Sequence, residues 1–171
     1  AQALADHPGI HFAMVEIDCG EDRTGLRPDD AALLTCAEIL FGAPRVGFRG
    51  VVTHGGQSYG VNGRDRLAAV AEIERAAVVS AAERLRNASI PVEIVSVGST
   101  PTALFAEHLQ GVTEMRPGVY MLGDLFQAGL GTCLTSDLAS TVLSTVISHR
   151  EASNRLVIDA GALACLLYTS P

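Results

Sequence analysis

Hydrophobic and polar residues follow one another along this chain as short apolar stretches separated by segments with helical spacing. Stretches rich in β-branched residues at 11–18, 45–53 and 92–97 are typical of buried strands. Each is followed by a segment in which apolar side chains recur every three to four residues. These helices are predicted at residues 28–40, 64–87 and 102–108. Alternating strands and helices predict an α/β fold with a parallel sheet.

Two later apolar stretches, at residues 138–147 and 156–160, are expected to continue this order. With them, about six strands can be placed, whereas a (β/α)8 TIM barrel typically takes about 250 residues. We therefore expect a partial barrel, with roughly the first quarter to third of its strands and helices lying outside this sequence. No repeat or linker divides the chain, so it is expected to form one incomplete domain.

Composition narrows the possible classes of protein. The 171 residues are 48% hydrophobic and carry a formal net charge of −7, which argues against nucleic acid and anionic membranes as partners. No apolar run approaches the roughly 18 residues of a membrane helix, and no leader sequence is visible at the start. A cytoplasmic location is the default expectation.

Cysteine and lysine usage restricts the chemistry further. The four cysteines lack the spacing of zinc ligands or of a C-x-x-C motif, so all are expected to be free thiols: Cys19, Cys36, Cys133 and Cys165. All 12 residues counted as lysine or arginine are arginine. A mechanism that needs a lysine amine therefore cannot run on this chain alone.

The strand at 92–97 leads into a turn that suits an anion. Gly98 stops the strand, Ser99 and Thr100 are candidate helix N-caps, and Pro101 suits the first helical position. Backbone N–H groups and hydroxyls would then point at one place, where a phosphate can bind. An ordinary capped turn is the alternative, and from these residues alone it is favoured.

Neighbouring motifs change that balance. The turn Gly-Ser-Thr-Pro-Thr occurs together with His-Gly-Gly-Gln-Ser-Tyr at 54–59 and Glu-Met-Arg-Pro-Gly at 114–118. With the segments at 16–25 and 157–164, these motifs resemble the D-serine dehydratase and D-threonine aldolase group. Those are pyridoxal-phosphate enzymes of fold type III, related to alanine racemase, with a TIM barrel followed by a β-domain. The resemblance implies that this chain is part of such a barrel, of the alanine racemase N-terminal domain type.

The resemblance also implies cofactor-binding residues. It places Gly98, Ser99 and Thr100 at the cofactor phosphate and makes Arg23 a ligand of the cofactor's phenolic oxygen. A surface arginine paired with Glu21 or Asp22 is the alternative for Arg23.

Aromatic and histidine side chains extend this predicted site. The resemblance places His54 and Tyr59 beside the cofactor, where His54 can stack or bond and Tyr59 can bond the phosphate or exchange a proton as the chain's candidate catalytic residue. A glycine-rich loop packed by its own side chains is an equal alternative for Tyr59. Tyr120 and Asp124 are placed beside phosphate and ring, and Gln127 is a weaker candidate.

Other polar residues are interpreted structurally. Glu114 and Arg116 can form a local salt bridge of about 0–1 kcal/mol. Asp159 is expected to cap a turn at a strand end.

By this resemblance, the intact protein is expected to be a pyridoxal-phosphate-dependent lyase of the D-serine dehydratase type, acting on β-hydroxy D-amino acids. A D-threonine aldolase is one alternative, and a non-catalytic pyridoxal-phosphate-binding barrel is another. The Schiff-base lysine is absent from this chain, which is expected to be inactive alone. A divalent metal, zinc, is implied with ligands in a further domain, and the intact protein is expected to be a homodimer.

The last seven residues, 165–171, resemble a translated sequencing-library adapter. The barrel portion is therefore expected to occupy residues 1–164, and the remainder is assigned no function.

Overall fold

The computed structural model describes residues 9–160, in which a parallel sheet carries the fold. Its strands are β1 (His11–Ile17), β2 (Val46–Thr53), β3 (Ile94–Val97) and β4 (Glu114–Met115), adjacent in that order. Each neighbouring pair is parallel. The helices are α1 (Ala31–Phe41), α2 (Arg64–Asn87), α3 (Thr100–Phe105) and α4 (Leu125–Leu130). The predicted alternation of strands and helices is confirmed across β1 to β4.

The hydrophobic core lies between the sheet and helices α1 and α2. Side chains of successive strand residues point to opposite faces, so Val95 and Val97 enter the core while Ser96 lies on the other face. The sheet and the two helices contribute buried residues together: Val15, Ile17, Leu33, Ala37, Val51, Val78, Ala81, Ala82 and Leu85.

Helix boundaries follow local capping chemistry. Helix α2 has the predicted bounds, whereas α1 begins at Ala31 because the Asp30 side chain accepts a hydrogen bond from the Ala32 N–H. Helix α3 begins at Thr100 because Ser99 is its N-cap, so Pro101 takes the second helical position. It ends at Phe105, three residues earlier than predicted, since the following residue is extended.

The expectation for the last apolar stretches is wrong. Strands β5 (Val146–Arg150) and β6 (Arg155–Ile158) form an exposed antiparallel hairpin, and residues 138–145 contain neither helix nor strand. Only the short turn Glu151–Asn154 joins the two strands, with Asn154 at φ 48°. A parallel pair needs a crossover of about a dozen residues or more, so this connection permits only antiparallel pairing.

Candidate functional site

Four loops meet at one edge of the sheet, because the carboxyl ends of parallel strands lie on the same side. They follow β1 at Asp18, β2 at His54, β3 at Gly98 and β4 at Arg116. Several predicted site residues lie in these loops or directly after them: Arg23, His54, Tyr59, Gly98, Ser99 and Thr100.

In the turn after β3, the hydroxyl groups of Ser99 and Thr100 have different environments. Ser99 is occupied as a helix cap: its Oγ accepts from the Thr102 N–H at 3.1 Å and lies 2.7 Å from Thr102 Oγ1 and 3.1 Å from Ser58 Oγ. Thr100 is 2% exposed, and its Oγ1 has no hydrogen-bond partner among residues 9–160. A buried hydroxyl normally finds a partner, so Thr100 is the member of the pair whose hydrogen-bonding capacity is unused.

Contrary to the sequence prediction, the backbone N–H of Gly98 does not point toward a phosphate site. It donates instead to Glu74 Oε1 at 3.0 Å. The space a side chain would need is also occupied, since a Cβ atom would lie 3.1 Å from the guanidinium carbon of Arg116. Glycine at this position therefore allows a cation to lie against the turn.

Arg116 is a site residue that the sequence interpretation missed. Its Nε lies 3.9 Å from Glu114, but it donates to Ser96 Oγ at 2.7 Å and another guanidinium nitrogen donates to the Thr53 carbonyl. The side chain thus crosses from β4 over β3 to the end of β2. Its position immediately after a strand that ends at the same edge was the available signal.

The loop after β2 packs against its neighbours. His54 Nδ1 bonds to the Gly98 carbonyl, while Gln57 Nε2 donates to the Cys19 carbonyl at 3.0 Å. The His54 and Tyr59 ring centroids are 6.2 Å apart, and Phe126 lies 6.1 Å from Tyr59. These contacts bring together the loops after β1, β2 and β3, and they place Tyr59 against Phe126 of α4.

Burial of the Tyr59 phenol raises its pKa, and the nearby Thr100 backbone N–H opposes that rise. The charges of Asp124, Glu74 and Glu21 raise the pKa further. Tyr59 is therefore a neutral hydroxyl at physiological pH, located beside the Thr100 turn. Its role toward a cofactor stays a prediction.

Arg23 is 44% exposed and pairs with Glu21 at 3.4 Å and Glu16 at 3.9 Å. This is the ion pairing of a surface arginine with Glu21, whereas Asp22 pairs with Arg27. The structure supplies no contact from Arg23 to the Thr100 turn, and its cofactor role stays a prediction.

Tyr120, Asp124 and Gln127 follow β4, and their proposed roles toward a cofactor stay predictions. Asp124 caps α4 by accepting from the Gln127 N–H at 2.7 Å, and Tyr120 is 57% exposed in a short turn. Gln127 is buried and accepts from the Thr132 hydroxyl at 2.8 Å. Asp159 accepts from Thr145 and Ser144, which lowers its pKa and fits the expected structural role.

Neither a metal-ligand cluster nor a membrane-spanning helix is found in the described part of the chain. No group of three or more metal-ligating side chains occurs between residues 9 and 160, and none of the helices there is long and apolar enough to cross a membrane. Cys19, Cys36 and Cys133 are free thiols, as predicted, and burial raises the pKa of Cys19. Cys165 and the final segment 165–171 lie outside the described residues.

Comparison with known proteins identifies the family of this fold. Residues 1–125 match the model of the alanine racemase N-terminal domain. The chain belongs to that family. Within it, the chain is 46% identical over 152 residues to D-threo-3-hydroxyaspartate dehydratase from Delftia sp. (strain HT23), covering 88% of this chain and 40% of that protein. The solved structure of the Delftia dehydratase superposes with a TM-score of 0.80 at 44% identity, covering 88% of this chain and 40% of that protein.

Two other relatives share the resemblance found in the sequence. D-serine dehydratase from Dictyostelium discoideum is 31% identical over 157 residues, which cover 88% of this chain and 40% of that protein. D-threonine aldolase from Arthrobacter sp. is 31% identical over 163 residues, which cover 94% of this chain and 42% of that protein. The family assignment and the α/β barrel-type fold are thereby confirmed. This chain spans about two fifths of the length of these relatives.

Proposed function

We propose that this chain forms the cofactor-phosphate side of a pyridoxal-phosphate-dependent lyase acting on β-hydroxy D-amino acids. The observation that carries the proposal is the Thr100 hydroxyl, buried without a partner in a turn beside the Arg116 guanidinium. A phosphate oxygen would satisfy that hydroxyl, and hydrogen bonds to charged groups are among the stronger ones in proteins. Family membership supplies the reason to consider this phosphate rather than another anion.

Three residues of this chain would have different roles at such a site. Thr100 donates to the phosphate, Arg116 balances its charge, and the neutral Tyr59 phenol can donate a hydrogen bond or exchange a proton beside it. The bound cofactor would supply an electron sink for bond breaking at the substrate α-carbon. The lysine that holds such a cofactor covalently must come from outside this sequence, which contains no lysine.

A dehydratase is favoured over an aldolase. The Delftia dehydratase is 46% identical to this chain, against 31% for the Arthrobacter aldolase. A divalent cation, proposed as zinc, would be bound by residues outside this chain. One solved structure of a D-threo-3-hydroxyaspartate dehydratase is described as a metal-free form, which supports a metal in such enzymes.

Substitutions at the two hydroxyls test the phosphate assignment. In the full-length protein, Thr100→Val should weaken pyridoxal-phosphate binding by roughly ten- to more than hundredfold, the equivalent of about 1.5–3 kcal/mol. Its stability should change little, because the hydroxyl has no partner to lose. The matched control Ser99→Ala should lower the free energy of unfolding by about 1 kcal/mol through loss of the cap, with a smaller effect on affinity. Unchanged affinity in Thr100→Val would contradict the assignment.

Product analysis tests the reaction. Incubation of the full-length protein with D-threo-3-hydroxyaspartate, D-serine and D-threonine should release ammonia and a keto acid. Glycine plus an aldehyde would indicate the aldolase, and cofactor binding without any turnover would indicate a binding protein.

A further inference from the structure

A buried carboxylate that the proposed reaction does not use lies behind the candidate site. Glu74 of α2 is 1% exposed, and its Oε1 accepts the Gly98 N–H at 3.0 Å. No arginine or histidine forms a salt bridge with it within residues 9–160. Moving a carboxylate out of water is costly, so a buried one is tolerated where its hydrogen bonds are specific.

The other side of Gly98 is bonded to His54. A carbonyl oxygen only accepts, so the bond between the Gly98 carbonyl and His54 Nδ1 requires the proton on Nδ1. In the neutral ring, Nε2 then carries the lone pair. No hydrogen bond to Nε2 is present in the described part of the chain, which leaves this nitrogen available as an acceptor at the sheet edge.

The same carboxylate contacts the loop that carries His54. A Cβ atom on Gly55 would lie 3.0 Å from Glu74 Oε2 and 2.9 Å from Thr102 Cγ2. The residue next to His54 therefore has to be small for Glu74 to reach Gly98. Glu74 thus contacts the loops after both β2 and β3.

We propose that Glu74 is a positioning residue, which fixes the Gly98 backbone and through it holds His54 as the Nδ1–H tautomer. Nε2 of His54 is then oriented as the acceptor for a hydrogen bond or proton from a ligand at the sheet edge. The link from Glu74 to the His54 tautomer depends on this structure alone, whereas its effect on a cofactor rests on the proposed function.

The test uses the full-length protein with Glu74→Gln, Glu74→Leu and the control Val78→Ala. Glutamine keeps a side-chain oxygen that can accept the Gly98 N–H, and leucine keeps the volume without an acceptor. Val78 is a fully buried core residue of the same helix, so its truncation lowers stability without touching Gly98. Imidazole nitrogen NMR, with His54 assigned by a His54→Gln variant, reports the tautomer, and titration with pyridoxal phosphate reports affinity.

Wild type, Glu74→Gln and Val78→Ala should all show His54 protonated at Nδ1. Glu74→Leu should show a mixture of tautomers and bind pyridoxal phosphate about tenfold more weakly, the size expected for one lost hydrogen bond. If Glu74→Leu does not fold, Gly55→Ala displaces the carboxylate by a different route and should give the same mixture.

Three results would overturn the proposal: an unchanged tautomer in Glu74→Leu or Gly55→Ala, a glutamine variant that behaves like the leucine variant, or a Val78→Ala variant that shifts the tautomer equally. Failure of the wild-type protein to bind pyridoxal phosphate would instead refute the proposed function. The tautomer measurement would still decide the role of Glu74.

Discussion

The turn after β3 and the loop after β1 lie at the same edge of one sheet, yet they are built from different interactions. At residues 98–102, neutral hydroxyls and backbone amides are buried, and Thr100 is left with an unused donor. At residues 20–27, the exposed Arg23 and Arg27 already pair with nearby carboxylates. Both were predicted to bind the same cofactor.

The two regions differ in how strongly a ligand could interact with each of them. A hydrogen bond made inside the buried turn is not weakened by water, whereas a charge in the exposed loop is screened and already has a partner. Within this sheet edge, a buried hydroxyl without a partner is therefore a stronger sign of a ligand contact than an exposed, paired arginine. The turn after β3 meets that criterion, and Arg23 does not.

The largest expected effect is at Gly98. Replacing it with valine would force the Arg116 guanidinium away from the turn, and crowding of this kind costs about 1–3 kcal/mol of unfolding free energy. Urea denaturation measures the loss. Gly129→Ala is the control, since a Cβ atom there meets nothing within 4 Å and alanine favours the helix. Equal stability of Gly98→Val and wild type would show that Arg116 does not need this space.

A smaller, pH-dependent effect is expected at Asp18, the buried exception in the loop after β1. Its carboxylate accepts the N–H groups of Gly20 and Asp22, and the bond from Gly20 is the main reason that its pKa is lowered. A lowered pKa stabilises the fold above the unfolded value of about 3.9, and the gain is lost as pH falls below it.

The Asp18→Asn variant should therefore be less stable than wild type at neutral pH, and the difference should shrink as the pH falls below the unfolded pKa of about 3.9. Thermal unfolding from neutral pH to below that value gives the comparison. A constant difference at every pH would mean that the Asp18 charge contributes nothing.

The smallest effect is expected at Arg23. Its pairs with Glu21 and Glu16 are exposed, so Arg23→Ala should change the free energy of unfolding by about 0–1 kcal/mol, and less at high salt. Asp22→Asn, which removes the charge of the neighbouring exposed pair with Arg27 and suits the positive φ of 55° at that position, is the matched control. If Arg23→Ala alone abolishes pyridoxal-phosphate binding in the full-length protein, the distinction between turn and loop fails.

Local patterns predicted the elements well where one helix or turn contains the whole signal. The apolar spacing from Arg64 to Asn87 fixed both ends of α2, and the Gly98 to Thr100 motif located the turn. The antiparallel pairing of β5 with β6 is local, and its signal was the connection at residues 151–154, which is too short for a crossover; the apolar runs alone did not show it. Membership of the family came from several motifs in order rather than from any single one.

Contacts of single side chains were the harder part of the site. Glu74 lies on the apolar face of α2, three residues after Ala71 and four before Val78, so its spacing indicated burial while its charge argued against it. Arg116 has Glu114 two residues away, which favoured a local ion pair over the longer reach to Thr53 and Ser96. Which hydroxyl of Ser99 and Thr100 becomes the cap likewise depends on the exact start of α3.

The contacts of Arg116 also affect how readily strand β4 opens locally from the sheet. Strand β4 pairs with β3 through only two residues, so few backbone hydrogen bonds protect it against local opening. Arg116 adds bonds to Ser96 and Thr53 that must break when β4 separates. Amide hydrogens of β4 should therefore exchange faster than those of β2, and the same opening would uncover the turn at Thr100 before the rest of the sheet unfolds.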